Sequence, residues 1–385
     1  MPLDSHTEVV SSLVKYGFLV EKDYNELSEI RRAVEAARSA PILRLTIVPT
    51  RLCNFRCTYC WESHQGPRMG ATVVQSIIKF VEKQIDRYKL VDVTWFGGEP
   101  LLEWGAITEI SERLMDICND KGSSYTSSLI TNGYLLDDAV VSNLRRLGVD
   151  CIVTSIDGPA HIHNVRRALA DGRPTLERIM ENLRLLSKTD CHITVQVNCD
   201  STTVEHVPQV LDILEAVKRR ITVHFRWLFP SDAKRWSCAT RNADADNELL
   251  LLNKLAVSRG FDIRNPMVFP RWVYCNTDYK DHWLIDPVGS IFKCNVEFEL
   301  NNPVGKLKED GELDLDEQLW SRWLAKDPFN RHACKECTSL PICLGGCVFA
   351  LNSAGSPRCI AQDERLTSEY IILKYQQSKS QGVRS

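Results

Sequence analysis

From about residue 43 to 258, short runs of β-branched and aromatic residues alternate with stretches whose apolar positions recur every three or four residues. The runs at 43–48, 91–96, 125–131, 151–155, 192–197 and 221–228 predict six strands. Between the first two, Val74, Ile77, Ile78, Val81 and Ile85 fall on one face of a helix. Comparable faces run through 107–117, 139–147, 176–186, 207–217 and 249–257. Strands and helices in alternation imply β/α units around a parallel sheet, and six such units close part of a barrel. The predicted fold class is α/β, a partial (β/α)6 barrel whose chemistry lies on the loops after the strands' C-terminal ends.

The flanks read differently. Segments 8–19 and 24–37 predict short helices that plug the barrel or guide substrate. Beyond 258 the alternation stops and cysteines become dense, and a helix over about 363–375 leads into a polar tail, 376–385, of disordered composition. The expected organisation is an N-terminal helical segment (1–40), the partial barrel (41–258), a small cysteine-rich domain (259–362), and a C-terminal helix with a disordered tail (363–385).

With 44% hydrophobic residues and a net charge of −3, the chain has ordinary core material and no basic field to draw it to nucleic acid or to an anionic membrane. No apolar run approaches the roughly 20 residues that span a bilayer. The first ten residues, with Asp4, His6 and Glu8, lack the features of a signal peptide, so the cytoplasm is the expected compartment. Fifteen cysteines then need a reason, because a reducing compartment disfavours disulfides. Ten fall into two spaced groups, which points to metal ligation. Cys118, Cys151, Cys191, Cys199 and Cys238 stand alone and read as small buried hydrophobes.

The first group, Cys53, Cys57 and Cys60, is spaced C-x3-C-x2-C directly after the first predicted strand. Three thiolates on one short loop can hold three irons of a cubane and leave the fourth open. A zinc knuckle is the competing reading, but zinc usually takes paired C-x2-C or C-x2-H elements, and His64 is the only histidine close by.

This spacing, with Tyr59 at the aromatic position, resembles the hallmark of the radical S-adenosylmethionine (radical SAM) superfamily, and further motifs follow on successive loops. After the second strand, Gly97-Gly98-Glu99-Pro100 resembles the motif whose backbone and carboxylate hold the methionine amino group. Thr131-Asn132-Gly133 after the third strand is turn chemistry near the ligand or simply a turn. Ser155 and Asp157, followed by Gly158-Pro159, His163-Asn164 and Arg167, are similar to the pattern of one large subgroup. By that resemblance Ser155 and Asp157 approach the ribose hydroxyls and Arg167 pairs with the methionine carboxylate, with Arg166 as its rival. Asn198, ending the fifth strand, is a further ligand contact or a structural cap.

The second group reads Cys275, Gly289, Cys294, then Cys334-x2-Cys337-x5-Cys343-x3-Cys347, then Cys359. This order resembles the SPASM extension, which houses two auxiliary four-iron clusters; structural zinc is the competing reading of its C-x2-C spacing. The resemblance assigns Cys275, Cys294 and Cys347 to the first auxiliary cluster, and Cys334, Cys337, Cys343 and Cys359 to the second. The first then has three cysteines. Asp278, His282 or Cys238 completes it, or its iron stays open to a substrate atom.

The cofactors implied are three [4Fe-4S] clusters, one of them SAM-binding, together with S-adenosylmethionine cleaved to a 5'-deoxyadenosyl radical. Partners implied are a ribosomally made precursor peptide and a low-potential electron donor of flavodoxin or ferredoxin type. Leader recognition falls to a separate binding protein or to the barrel mouth. The subgroup most resembled contains peptide maturases that install carbon–carbon, ether or thioether crosslinks by removing hydrogen from a side-chain carbon. A sulfatase maturase, which oxidises Cys or Ser to formylglycine, is the nearest alternative. Those enzymes carry an aspartate, proposed as a base, after the cysteine matching Cys294, where this chain has Asn295; Glu297 is the substitute acid available. A non-catalytic zinc or iron–sulfur scaffold is the alternative of another class. Trp61, Trp95, Arg226, Trp227 and Arg271 either shape the barrel mouth or pack within the fold.

Overall fold

In the strand Ile42–Ile47 (β1), Leu43, Leu45 and Ile47 are buried at every second position, as a sheet lying beneath helices requires. This computed structural model describes residues 9–11, 14, 19–228, 243–264, 272–354 and 364–380. After β1 come β2 (Leu90–Trp95), β3 (Ser124–Ile130), β4 (Val149–Ser155), β5 (His192–Cys199) and β6 (Ile221–Trp227). All six pair in sequence order and in parallel, so their C-terminal ends share one edge.

The helices are α1 (Glu26–Arg38), α2 (Ala71–Gln84), α3 (Trp104–Lys121), α4 (Asp138–Asn143), α5 (Ala160–Arg166), α6 (Leu176–Leu186), α7 (Val207–Leu214) and α8 (Ala243–Ser258). On α2 the apolar stripe Val74, Ile77, Ile78 and Val81 is buried, each side chain contributing about 1.5–3 kcal/mol. Leu176, Ile179, Met180, Leu183 and Leu186 do the same on α6. Two predicted helices end early: α4 stops at Asn143 before a turn closed by Gly148 (φ +62°), and α7 tightens into a 3-10 turn, Glu215–Arg220.

The cysteine-rich segment does not form a separate layer, because its strands extend the barrel sheet. The two-residue β7 (Asp262–Ile263) pairs with β6, and β8 (His282–Ile285) pairs in parallel with β1. Antiparallel β9 (Ser290–Phe292), β10 (Gly305–Leu307) and β11 (Leu313–Leu315) complete an 11-stranded sheet. His282 Nε2 lies 3.0 Å from Thr46 Oγ1, a side-chain bond across the β1/β8 seam. Trp283 stacks on Trp320 of α10 (Glu317–Leu324; α9 is Asn295–Glu299), with centroids 4.3 Å apart.

Helix α1 serves this C-terminal segment and not the barrel interior. Val34 packs with Phe329, Leu340 and Leu344, and Arg38 donates to the carbonyls of Asp278 (3.0 Å), Leu324 (3.1 Å) and Lys326 (3.3 Å). Most of the expected helix at 8–19 lies outside the described residues. The C-terminal helix Glu364–Ser380 runs past Tyr375, correcting the disordered tail expected from 376 on, at least through Ser380. Tyr370, Leu373 and Gln377 recur at helical spacing on its buried side, and Gln377 donates to Asp262, which anchors the continuation.

Candidate active site

The chain after β1 turns at Thr50, whose hydroxyl accepts the Leu52 N–H at 3.1 Å, and enters the cysteine loop. The loop is fastened to the segment after α5: Arg56 N–H donates to Ala168 O (2.9 Å), Thr58 N–H to Arg166 O (2.9 Å), and Ala170 N–H to Asn54 O (2.8 Å). Behind it the Gly97-Gly98 backbone approaches so closely that a Cβ on Gly98 would stand 2.3 Å from Leu52 O. Glu99 N–H donates to the same Leu52 O at 2.9 Å. The glycines are therefore required by close backbone approach.

Cys53 lies close enough to Cys57 and Cys60 to feel their charge, and Cys60 feels that of Cys57. Burial, chiefly, pushes the thiols of Cys53 and Cys60 up to about 12, and that of Cys57 up as well. The Phe55 N–H donates to Cys53 Sγ (3.4 Å), and Arg167 is the strongest opposing influence on Cys57. Three thiols with backbone N–H support are a suitable donor set for iron, which displaces their protons on binding. Among the described residues no three His, Cys, Asp or Glu side chains close around a single ion. A cubane asks each thiolate to meet a different iron.

Glu99 is fully buried and joins two of the expected motifs. Its Oε1 accepts from Thr131 Oγ1 (2.8 Å) and Leu101 N–H (3.0 Å), and Oε2 accepts from Asn132 N–H (2.8 Å). Burial raises its carboxyl, and these bonds oppose the shift. Asn132 Nδ2 reaches Asn54 Oδ1 at 2.7 Å, on the cysteine loop itself.

A second network meets at the Tyr59 hydroxyl. It donates to Asp157 Oδ2, and it receives Arg167 Nη1 at 2.7 Å and Asn198 Nδ2 at 3.1 Å. Asn198 also donates Nδ2 to Asp157 Oδ1 at 3.0 Å. The loops after β1 and β4 and the end of β5 thus converge. Burial works against the charge of Arg167, yet Tyr59, Cys57 and Asp157 hold it above its ordinary range. Arg166 instead pairs with Asp200 at 2.7 Å. His163, kept neutral by burial, accepts the Asp157 N–H at 3.2 Å and fixes that backbone, while Asn164 Oδ1 accepts the N–H groups of Thr175 and Leu176 at the start of α6. Ser155 ends β4 opposite Gln196, and Pro159 caps α5.

In the second group, Cys294 is the N-cap residue of α9; burial pushes its thiol up to about 12, with Cys275 and Cys347 adding to the rise and the backbone of Val296 and Glu297 opposing it. Cys275 and Cys347 thus lie near enough to Cys294 for their charges to act on its thiol. Cys275 Sγ and Thr277 Oγ1 are hydrogen-bonded at 2.8 Å. Of the candidate fourth ligands, Asp278 is engaged by Lys326 and His282 by Thr46, while Cys238 lies outside the described residues. Cys334, Cys337 and Cys343 sit on consecutive short turns linked by Cys337 N–H to Cys334 O (3.2 Å) and Leu340 N–H to Cys337 O (3.0 Å). Cys359 and Arg271 are outside the described residues.

Between the two cysteine sites lie residues that the motif reading passed over. Arg51 Nη2 donates to Phe298 O (3.0 Å), its guanidinium stacks 3.8 Å over the Phe298 ring, and Glu299 stands 3.9 Å away. Glu62 has a buried, unpartnered Oε2, and burial together with Glu299 pushes its carboxyl up to about 8. Glu297 also has a buried, unpartnered Oε2, whereas Asn295 is exposed. Lys293, beside Cys294, donates to the carbonyls of Tyr279, Lys280 (3.3 Å) and His282 (3.1 Å), and burial pulls it down to about 7. Position next to a cysteine was the available signal for Arg51, Glu62 and Lys293. Trp95 is entirely buried and belongs to the core, and Arg226 reaches Gln196 Oε1 at 3.5 Å.

The radical SAM superfamily profile matches residues 47–214. A cysteine-type anaerobic sulfatase-maturating enzyme of Clostridium perfringens is 25% identical over 336 residues, 80% of this chain and 89% of the relative. A serine-type anaerobic sulfatase-maturating enzyme of Klebsiella aerogenes is 22% identical, covering 83% of this chain and 82% of the relative. Among solved structures, native anSMEcpe with bound AdoMet and Cp18Cys peptide superposes with a TM-score of 0.59 at 20% identity, over 89% of this chain and 98% of that one. Streptococcus suis SuiB bound to S-adenosylmethionine gives a TM-score of 0.59 at 16% identity, over 94% and 87%. The sheet, the cysteine loop at its C-terminal edge and these likenesses agree: the chain carries a radical SAM domain over residues 47–214, its fold as a whole is that of anSMEcpe and SuiB, and enzyme activity is supported.

Proposed function

We propose that the chain is a peptide maturase that removes hydrogen from a side-chain carbon of a ribosomally made precursor and installs an oxidative crosslink. The observation that supports this reading is the cysteine loop at the sheet's C-terminal edge, tied to buried Glu99 through Asn132 and Asn54, in a chain that carries a second cysteine group at Cys275, Cys294 and Cys347. The radical SAM fold implies a [4Fe-4S] cluster and S-adenosylmethionine, which together supply a 5'-deoxyadenosyl radical able to take hydrogen from an unactivated carbon. In this reading Glu99 receives the methionine ammonium, next to the Gly97-Gly98-Pro100 backbone and with Thr131 and Asn132 holding its carboxylate in place. Arg167 meets the methionine carboxylate, since Arg166 is committed to Asp200. Tyr59, Asp157, Asn198 and Ser155 border the ribose. Cys275, Cys294 and Cys347 hold one auxiliary cluster, and Cys334, Cys337, Cys343 and Cys359 a second. An oxidative product must release an electron, and a cluster held by Cys275, Cys294 and Cys347 would supply an acceptor for it.

Glu297, with its unpartnered buried oxygen three residues past Cys294, is the proton acceptor this reading favours. The relatives named are sulfatase-maturating enzymes, and this supports formylglycine formation as a second reading, against which stands exposed Asn295. A low-potential donor of flavodoxin or ferredoxin type, and a leader-binding protein or the barrel mouth, complete the proposed partners. The scaffold alternative gives way to the radical SAM assignment. No helix among the described residues is long and apolar enough to cross a membrane. The test is anaerobic reconstitution followed by mass spectrometry of the precursor encoded beside the gene. Loss of two hydrogens without a hydrazide-reactive aldehyde supports a crosslink, a hydrazide-reactive aldehyde supports the second reading, and an unchanged peptide counts against both.

A further inference from the structure

Lys326 and Asp278 form an ion pair with side chains only 3% exposed, Nζ lying 2.7 Å from Oδ1 and 2.8 Å from Oδ2. Each end is fastened to the first auxiliary site. Lys326 Nζ also donates to Gly346 O at 3.1 Å, the residue before Cys347. Asp278 accepts the Tyr274 N–H at 2.7 Å, the residue before Cys275, and its own N–H donates to Cys275 O at 3.0 Å. Both charges act on the Cys275 thiol, in opposite directions. From the outside, Arg38 of α1 holds the Asp278 and Lys326 carbonyls. A buried pair is costly to desolvate and offers little net stability over an apolar substitute. Its position against a redox site is therefore the feature to explain.

We propose that Lys326 and Asp278 are positioning residues that set the reduction potential of the auxiliary cluster held by Cys275, Cys294 and Cys347. Reduction adds one negative charge to a cluster, so a cation nearby favours the reduced form and an anion opposes it; at low internal dielectric such effects are strong. Lys326 makes the cluster the better electron acceptor for an oxidative reaction, and Asp278 limits that effect. This rests on the reading that those three cysteines hold a cluster.

The test is a redox titration of the full-length, reconstituted enzyme followed by electron paramagnetic resonance, with the other clusters as internal references. Lys326→Met is expected to move one auxiliary potential to more negative values, and Asp278→Asn to move the same signal to more positive values. The double variant should return near the wild type, and the reference signals should stay in place. Single variants that shift the same way, or leave a present signal unmoved, overturn the proposal. Loss of the signal in Asp278→Asn also overturns it, since Asp278 would then be an iron ligand. Should Lys326→Met fail to load its cluster, Lys326→Arg decides alongside Asp278→Asn: retention of the wild-type potential with a positive Asn shift supports the pair, and any other combination refutes it. A wild-type enzyme with no auxiliary signal overturns both the proposal and the reading beneath it, an outcome distinct from a signal that fails to shift.

Discussion

Replacing Glu99 by glutamine separates ligand binding from folding. The carboxylate takes three donors at 2.8–3.0 Å in a fully buried site. Glutamine keeps one oxygen for Thr131 and Leu101, but its amide turns an N–H toward the Asn132 N–H, and stranding that donor costs about 1–3 kcal/mol. Burial of the charged carboxylate is itself unfavourable, which is why its pKa is raised, and the neutral amide relieves that cost. The two effects oppose each other, so the melting temperature of the cluster-free variant should stay within a few degrees of wild type. Affinity for S-adenosylmethionine has no such compensation. A hydrogen bond to a charged partner contributes roughly 1.5–3 kcal/mol, and its loss should weaken binding about 10- to 150-fold. Equilibrium dialysis of the anaerobically reconstituted protein measures this directly. Unchanged affinity would refute the assignment of Glu99 to the ammonium; a large fall in melting temperature would show that the carboxylate is structural first.

Glu62→Gln tests the raised carboxyl at the junction. A folded-state pKa of about 8, above the ordinary 4.5 of the unfolded chain, contributes stability that is complete below about 4.5 and lost as pH rises to about 8. The variant should therefore melt above wild type at pH 8, by up to roughly 5 kcal/mol of relieved destabilisation, and match it near pH 4.5, as calorimetry across pH would show. Gly98→Ala sets a Cβ 2.3 Å from Leu52 O and should destabilise the cluster loop by at least about 1–3 kcal/mol, seen as lower iron retention; wild-type loading would contradict the close approach. Alanine at Cys53, Cys57 and Cys60 together should abolish 5'-deoxyadenosine formation and leave roughly two thirds of the iron, given three similar cubanes. Complete iron loss would show that the sites are not independent.

The six strands and the α2 and α6 faces were legible because period two and period 3.6 are local signals, and all six strands fall within two residues of the predicted ends. The parallel pairing of β8 with β1 was not legible, since four residues, His282–Ile285, carry little pattern and their partner lies far back in the chain. Nor was the docking of α1 on the cysteine-rich segment, because an amphipathic helix shows that it has a buried face and not what covers it. Tyr59 was readable only as an aromatic position. Its hydroxyl acquires meaning from Arg167, Asp157 and Asn198, three residues that no spacing rule places together. Adjacent Arg166 and Arg167 likewise differ only in direction, which the turn after α5 decides.

These unreadable features share a consequence for how the two cysteine sites work together. Since β8 continues the sheet from β1, the strands preceding Cys53 and Cys294 belong to one hydrogen-bonded surface and not to domains joined by a linker. Arg51 then spans the loops above that surface, from two residues before Cys53 to Phe298, four residues after Cys294. The Phe298 ring packs edge-on against Phe292 and Phe96, each following or ending a strand of the sheet. The separation of the two cysteine loops is thereby held by sheet register and by one cation–π contact. Such rigidity suits radical chemistry, in which the hydrogen removed is chosen by position. The cost falls on loops that bury Glu62 and Glu297 with unpartnered oxygens. Unpartnered carboxylate oxygens are open to a polar group from outside, so under the proposed function Glu62 joins Glu297 as a residue at which contact with a peptide is to be sought.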